Sequence, residues 1–181
     1  KLTNQQPLDL DDGILLLEHH DLHEIGQMAH AVREARFGNM AFFNANVHVN
    51  QTNICVLACR FCAFRRGPKA KDAYALSVQD YVDDLGTYAD YVDEVHSVGG
   101  LHPDWTIEHY EAMFSQTRAA YPHISIKALT AVEVKHLAQQ SSISTKTVLR
   151  RLKDSGLTSL PGGGAEILDD DVRAIICNGK E

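Results

Sequence analysis

Cys55, Cys59 and Cys62 stand in the order Cys-x3-Cys-x2-Cys within Asn50–Phe64. Thiolates this close in sequence can converge on one metal centre. As soft ligands they select zinc, copper(I) or iron–sulfur over magnesium or calcium. Structural zinc takes four closed ligands, usually from two separated Cys pairs, and no second pair is present. A 4Fe-4S cluster is commonly held by four thiolates, so three would leave one iron free for a small molecule. Ala63 and Phe64, directly after the third cysteine, suit such a cluster because apolar cover keeps water off the sulfurs and tunes the potential. The closed alternative recruits Cys177 as the fourth ligand of a structural zinc knuckle. Cys177 follows Ile176 on the apolar face of a short helical run, where a buried inert thiol is the usual identity.

Further candidates follow β-like runs. Gly99-Gly100 precedes Leu101-His102-Pro103, and two glycines also suit an ordinary strand-to-helix turn. Gly162, Gly163 and Gly164 lack a Cβ, which lets backbone approach a bulky ligand closely. Glu166 follows them, aimed at a ligand hydroxyl or ammonium or else capping a first helical turn. His96, His102 and Lys127, on or just after strands, are candidates to meet a substrate carboxylate. Glu133 is explained by a capping box with Thr130. His19 and His23 read as exposed polar residues at a helix start.

These positions must be held by an alternation of strands and helices. Lys1 to Leu10 is polar and expected to be poorly ordered, and Asp21 starts a helix through Leu22, Ile25, Met28 and Val32 that Gly38 stops. Strands are expected at Ala45–Val49, Glu94–Val98, Ile124–Leu129 and Leu157–Leu160. Between them come a helix from Ser77 to about Val92, one carrying Ile107, Tyr110, Met113, Phe114 and Tyr121, one capped by Thr130, and one capped by Ser144 with Gly156 at its C-terminal end. Asp169 opens a last helix. Strand, helix, strand with such connections means parallel strands and right-handed crossovers. Neither Gly-x-Gly-x-x-Gly after the first strand nor Gly-x4-Gly-Lys-Ser/Thr occurs. Candidate chemistry at the C-terminal ends of strands favours a β/α barrel. The expected division is an N-terminal extension over 1–44 and the first part of the barrel over 45–181.

Composition narrows the function classes. At 181 residues and 44% apolar the chain can bury a core, and a net charge of −7 offers no electrostatic reason to bind nucleic acid. The basic run Arg65, Arg66, Lys69, Lys71 reads as a solvated loop. Four cysteines, no signal peptide and no apolar membrane-length run point to a reducing cytoplasmic setting with no membrane partner. An amidohydrolase metal site wants His-x-His at the first strand, and Asn46-Val47-His48-Val49-Asn50 has one histidine.

The cysteine array, with an aromatic before its third member, resembles the radical S-adenosylmethionine (SAM) enzymes. Val98-Gly99-Gly100-Leu101-His102-Pro103, Lys127-Ala128-Leu129-Thr130-Ala131-Val132-Glu133 and Ser159-Leu160-Pro161-Gly162-Gly163-Gly164-Ala165-Glu166-Ile167 narrow the resemblance to the radical SAM enzymes of the futalosine route to menaquinone, on the aminofutalosine synthase branch. The neighbouring branch, dehypoxanthine futalosine cyclase, shares the Pro-Gly-Gly-Gly-Ala-Glu-Ile turn but tends to Gln-Gly-Gly-His-His-Pro and Ser-Pro-x-Glu at the other two. Leu101 stands where many radical SAM enzymes carry the acid of Gly-Gly-Glu. The resemblance implies a radical SAM transferase with a partial TIM-type barrel. It implies a 4Fe-4S cluster on Cys55, Cys59 and Cys62, with SAM as co-substrate against Gly99, Gly100, Gly162, Gly163, Gly164 and Glu166. It also implies an external electron donor and a small-molecule substrate of the enolpyruvyl benzoate type. The adenosyl radical would add to the alkene of 3-[(1-carboxyvinyl)oxy]benzoate, with loss of carbon dioxide, giving 6-amino-6-deoxyfutalosine. The chain would be a fragment with the first four or so βα units of its barrel, inactive alone and able to pair with a second copy along open edges. The reading of another class is a non-catalytic, zinc-stabilised binding module.

Overall fold

The computed structural model describes residues 1–4, 6–164 and 166–180, so Ala165 of the glycine-rich turn lies outside the described residues. The chain divides into two compact units, 1–43 and 44–181. The first holds α1 (Leu10–Glu18) and α2 (Leu22–Phe37). Helix α1, not expected from the sequence, begins where the polar start Lys1 to Leu10 ends: Asp9 caps it in a reciprocal box with Asp12, and Lys1 Nζ reaches both carboxylates at 2.6 Å. Asp21 caps α2 and Gly38 ends it at φ 59°.

The second unit is a four-stranded parallel sheet in the order β1 (Asn46–His48), β2 (Glu94–Ser97), β3 (Ser125–Ala128), β4 (Leu157–Ser159). Strands laid down in sequence order with right-handed crossovers put their helices on one face. The crossovers carry α3 (Val78–Gly86), α4 (Ile107–Ala120), and the pair α5 (Ala131–Gln140) and α6 (Thr145–Asp154); α7 (Asp170–Ile176) follows β4. Strand positions alternate faces. Val95, Ile126 and Ala128 are fully buried with Tyr81, Leu85, Ile107, Phe114, Leu137, Val148 and Leu152 of the helices. The opposite face carries Asn46, His48, His96 and Lys127, none of them fully buried.

Helix α3 stops at Gly86, short of the expected Val92. A Cβ at Gly86 would overlap the Tyr121 hydroxyl, and the chain then breaks into turns with Thr87 N–H and Oγ1 both donating to the Asp84 carbonyl. Capping boxes at Ser77/Asp80 and Thr130/Glu133 start α3 and α5. Ser144 caps α6, and Gly156, at φ 121°, closes its end. The outer edges of β1 and β4 have no strand partner among the described residues.

Candidate cofactor-binding site

The segment after β1 is polar yet buried. Gln51, Thr52 and Asn53 are 0%, 0% and 6% exposed, so each must find internal partners. Asn53 pairs through its amide with Asp72 O and Tyr74 N–H, and Thr52 Oγ1 donates to Tyr74 O. This clamps the cysteine loop at its base. The loop is pinned further by Val56 N–H to Leu101 O at 3.0 Å, Arg60 N–H to Ile176 O at 2.8 Å and Cys55 N–H to Arg66 O at 3.1 Å. Arg66, expected as part of a solvated run, instead staples the loop. Its guanidinium bonds Asp72 at 2.6 Å and the Ala63 and Arg65 carbonyls at 2.8 and 3.0 Å.

Gly99 and Gly100 make that clamp possible. A Cβ on Gly99 would stand 2.7 Å from Gln51 Nε2, and one on Gly100 would overlap the Ile54 carbonyl. The demand for glycine comes from the Gln51 side chain and the Thr52 carbonyl at Gly99, and from the Ile54 backbone at Gly100.

Behind this turn sits Glu133, 3% exposed. Its Oε1 accepts from Gly99 N–H at 3.0 Å and Gln51 Nε2 at 3.2 Å, and its Oε2 from Thr130 N–H at 2.7 Å. Ser97 Oγ donates to Gln51 Oε1 at 2.8 Å and completes the network. Burial pushes the carboxyl up to about 7, with the donors pulling against it. The capping box is therefore real, and it is only part of what Glu133 does: one carboxylate ties the second-strand turn, the third-strand turn and the segment leading into the cysteines.

These parts line one cleft of ≈ 220 Å³. Cys55, Cys59 and Cys62 come from the loop after β1, and Val98, Gly99 and Gly100 from the end of β2. Thr130, Val132 and Glu133 follow β3, and Gly164 and Glu166 follow β4. A larger hollow of ≈ 360 Å³ beside Glu18, His19 and Asp21 in the N-terminal unit gathers no thiol and no buried polar group. Gly162 and Gly163 do not line the cleft, and a Cβ on either meets nothing. The close approach falls at Gly164 alone, at φ 83°, where a Cβ would lie 2.9 Å from Thr130. Glu166, at φ 62°, holds Lys180 Nζ at 2.7 Å, and that ammonium lies 5.5 Å over the Phe61 ring.

All four cysteines are free. Burial pushes the Cys59 thiol up; Lys180 draws it down, while Cys177, Cys55 and Cys62 raise it further. Cys177 is fully buried and caps the end of α7 instead of lying on its face. No three His, Cys, Asp or Glu among the described residues are gathered to hold a single metal ion. The donor set fits a larger group: three unpaired thiols border a cleft with room beside them, and thiolates on a cluster bind different irons. His102 is not brought to the cleft. It stacks on Trp105 at 4.5 Å, which stacks on His109 at 3.8 Å, and its carbonyl lies 3.0 Å from His136 Nε2.

A parallel βα sheet with cofactor-type residues at every strand end is the arrangement of a barrel enzyme. Residues 49–181 match the Radical SAM superfamily model, and the chain belongs to that superfamily. Its fold is an α/β partial TIM-type barrel, and enzymes of this family use a 4Fe-4S cluster and SAM. Among known proteins, the chain is 40% identical over 174 residues to aminodeoxyfutalosine synthase of Streptomyces coelicolor, covering 96% of this chain and 45% of that one. It is 36% identical over 175 residues to the 5-amino-6-(D-ribitylamino)uracil–L-tyrosine 4-hydroxyphenyl transferase of Methanoculleus marisnigri, 94% and 47% covered. It is 34% identical over 189 aligned positions to cyclic dehypoxanthine futalosine synthase of Streptomyces coelicolor, 100% and 45% covered. In structure it is similar to methylornithine synthase, with a TM-score of 0.73 at 16% identity over 100% of this chain and 51% of that one. The chain spans about half the length of the curated relatives it matches. No helix among the described residues is long and apolar enough to cross a membrane.

Proposed function

We propose that this chain is the cofactor-binding part of an aminofutalosine synthase, a radical SAM transferase joining the adenosyl group of SAM to 3-[(1-carboxyvinyl)oxy]benzoate with loss of carbon dioxide. The observation that carries the reading is the single cleft on which three free thiols and the turns after β2, β3 and β4 all open. Residues 45–181 are the first part of the barrel and 1–44 an extension.

When bound, the cluster supplies the electron that splits SAM into methionine and an adenosyl radical. The residues of the chain do the rest. Cys55, Cys59 and Cys62 hold the cluster as thiolates, on a loop fixed by Arg66, Leu101 and Ile176. Gly99 and Gly100 keep the β2 turn thin enough to lie against that loop. Gly164 and Glu166 close the cleft from the fourth strand, with Lys180 in reach of both Glu166 and the thiol loop. Orientation of the alkene and exclusion of stray hydrogen donors complete the protein's share. The cleft's 220 Å³ lies below the usual range of roughly 300–1,000 Å³ for small-molecule sites, and the face of the sheet opposite the crossover helices is where the substrate enters. Four unpaired thiols suit a reducing cytoplasm and an external electron donor.

Leu101-His102 and Thr130-Ala131-Val132-Glu133 favour the synthase over the cyclase. Anaerobic turnover of the full-length protein with SAM and each candidate substrate, with nucleoside products identified by mass, tests this. 6-Amino-6-deoxyfutalosine is the expected product. A cyclised futalosine derivative would assign the cyclase branch instead. A colourless protein after anaerobic loading with iron and sulfide would point to the zinc module.

A further inference from the structure

Strand register sets a row of basic groups across the face of the sheet opposite its crossover helices. His48 of β1 is opposite His96 of β2, His96 is opposite Lys127 of β3, and Lys127 is opposite Ser159 of β4. The two imidazoles lie 4.5 Å apart between ring centroids, and neither ring nitrogen forms a hydrogen bond among the described residues. His96 is two positions before Val98 of the cleft wall, and Lys127 three before Thr130, so the row runs along the floor of the open face on the N-terminal side of the cofactor cleft.

One carboxylate is nearby. Glu94, two residues before His96, receives Lys127 Nζ at 3.4 Å and Asn44 Nδ2 at 3.5 Å, and its side chain is 9% exposed. It offsets part of the lysine charge from below and leaves ammonium protons over. Burial holds His96 below its usual range, with His48 and Lys127 lowering it further and Glu94 opposing. These cations and latent cations repel one another until an anion comes between them.

We propose that His48, His96 and Lys127 form the subsite that takes a carboxylate of the substrate, placing an aryl or enol-ether acid on the sheet floor with its other end towards the cleft. This rests on the reading above that the open face receives the substrate. Lys127 supplies a charge-assisted hydrogen bond, and the imidazoles supply N–H donors, one of them gaining a proton when the anion seats. Ser159, at the far end of the row, adds a hydroxyl.

Binding of isophthalate and of its dimethyl ester to the full-length, cluster-loaded protein, followed by calorimetry in two buffers of different ionisation enthalpy, tests the subsite without turnover. Isophthalate should bind, the diester should not, and the two buffers should report net proton uptake. Lys127→Met should weaken isophthalate roughly tenfold, the worth of one charge-assisted hydrogen bond, while SAM affinity stays the same. Lys127→Arg should keep most of it. The double variant Glu94→Gln/Lys127→Met separates the alternatives: a lysine that only neutralises Glu94 becomes dispensable there and binding returns, which overturns the proposal, whereas an anion ligand stays lost. Equal affinity for isophthalate in parent and Lys127→Met also overturns it. Because the readout is equilibrium binding, a protein that binds isophthalate in this way but makes no aminofutalosine would sink the reaction assignment and leave the subsite standing.

Discussion

Replacing Glu133 with glutamine should change how stability depends on pH, and the size of the change follows from where the carboxylate sits. Its value rises from 4.5 to about 7 because burial outweighs the three donors aimed at it. Below pH 4.5 both folded and unfolded chains hold the proton and its contribution is fully present. Between 4.5 and 7 the unfolded chain has released the proton while the folded one retains it, so stability falls as pH rises, and above 7 the loss is complete. At about 1.4 kcal/mol per unit, the total is roughly 3 kcal/mol, and the 3% exposure of the residue leaves little solvent screening to reduce it.

Glutamine cannot ionise and so loses this slope. His96, His102 and His109 are all held low, chiefly by burial, which gives the opposite slope, with stability lost as pH falls through their folded values. They are common to both proteins and cancel in the difference. Urea midpoints measured from pH 5 to 8 on parent and Glu133→Gln should therefore give a stability difference that moves by about 2–3 kcal/mol in favour of the glutamine protein as pH rises. A difference curve flat across that range would refute the claim that burial keeps the proton on folded Glu133 above the ordinary carboxyl range.

Four further outcomes are expected. Cys55→Ala, Cys59→Ala and Cys62→Ala should each abolish cluster assembly while Cys177→Ala leaves iron content unchanged; iron loss in the last would mean a closed site. Gly100→Ala must displace the Ile54 carbonyl and should cost roughly 1–3 kcal/mol in denaturation, whereas Gly162→Ala, with nothing nearby, should change stability little. Gly164→Val should weaken SAM binding in calorimetry more than it weakens substrate binding, and unchanged SAM affinity would remove the turn after β4 from the cofactor site. Residues 1–181 produced alone should self-associate through the open edges of β1 and β4, and a stable monomer in sedimentation at micromolar concentration would contradict that.

The parts of this molecule that could be read from sequence are those fixed by near neighbours. The cysteine spacing is local, and so are the cap at Ser77, the box at Thr130/Glu133, the apolar period through Ile107, Tyr110, Met113 and Phe114, and the glycine after α6. The parts that could not be read depend on what arrives from elsewhere in the chain. Gln51-Thr52-Asn53 is polar in sequence yet buried, with Tyr74 and Asp72 as partners of Thr52 and Asn53, and Glu133 and Ser97 as partners of Gln51. Helix α3 looks periodic to Val92 and ends at Gly86, where Tyr121, a residue one crossover away, leaves no room for a Cβ. Cys177 reads as a helix-face thiol, and its charge interaction with Cys59 exists only because α7 folds back on the loop.

Glu133 shows most clearly why a complete local explanation can hide a function. The capping box accounts for Thr130 and the first turn of α5, and a reader of the sequence has no reason to ask for more. Yet a cap needs only one carboxylate oxygen, and an exposed one serves at a helix start. Here the second oxygen is spent on Gly99 N–H and Gln51, inside a cleft wall, at a burial that disfavours its own charge. A cap that served stability alone would gain by staying in water. The buried placement instead couples three strand-end turns to one group, so that a shift at the β3 turn is felt at Gly99 and, through Gln51, at the root of the cysteine loop. Rigid mutual placement of these turns is what a site must have if it is to hold a cluster and a second molecule in fixed relation.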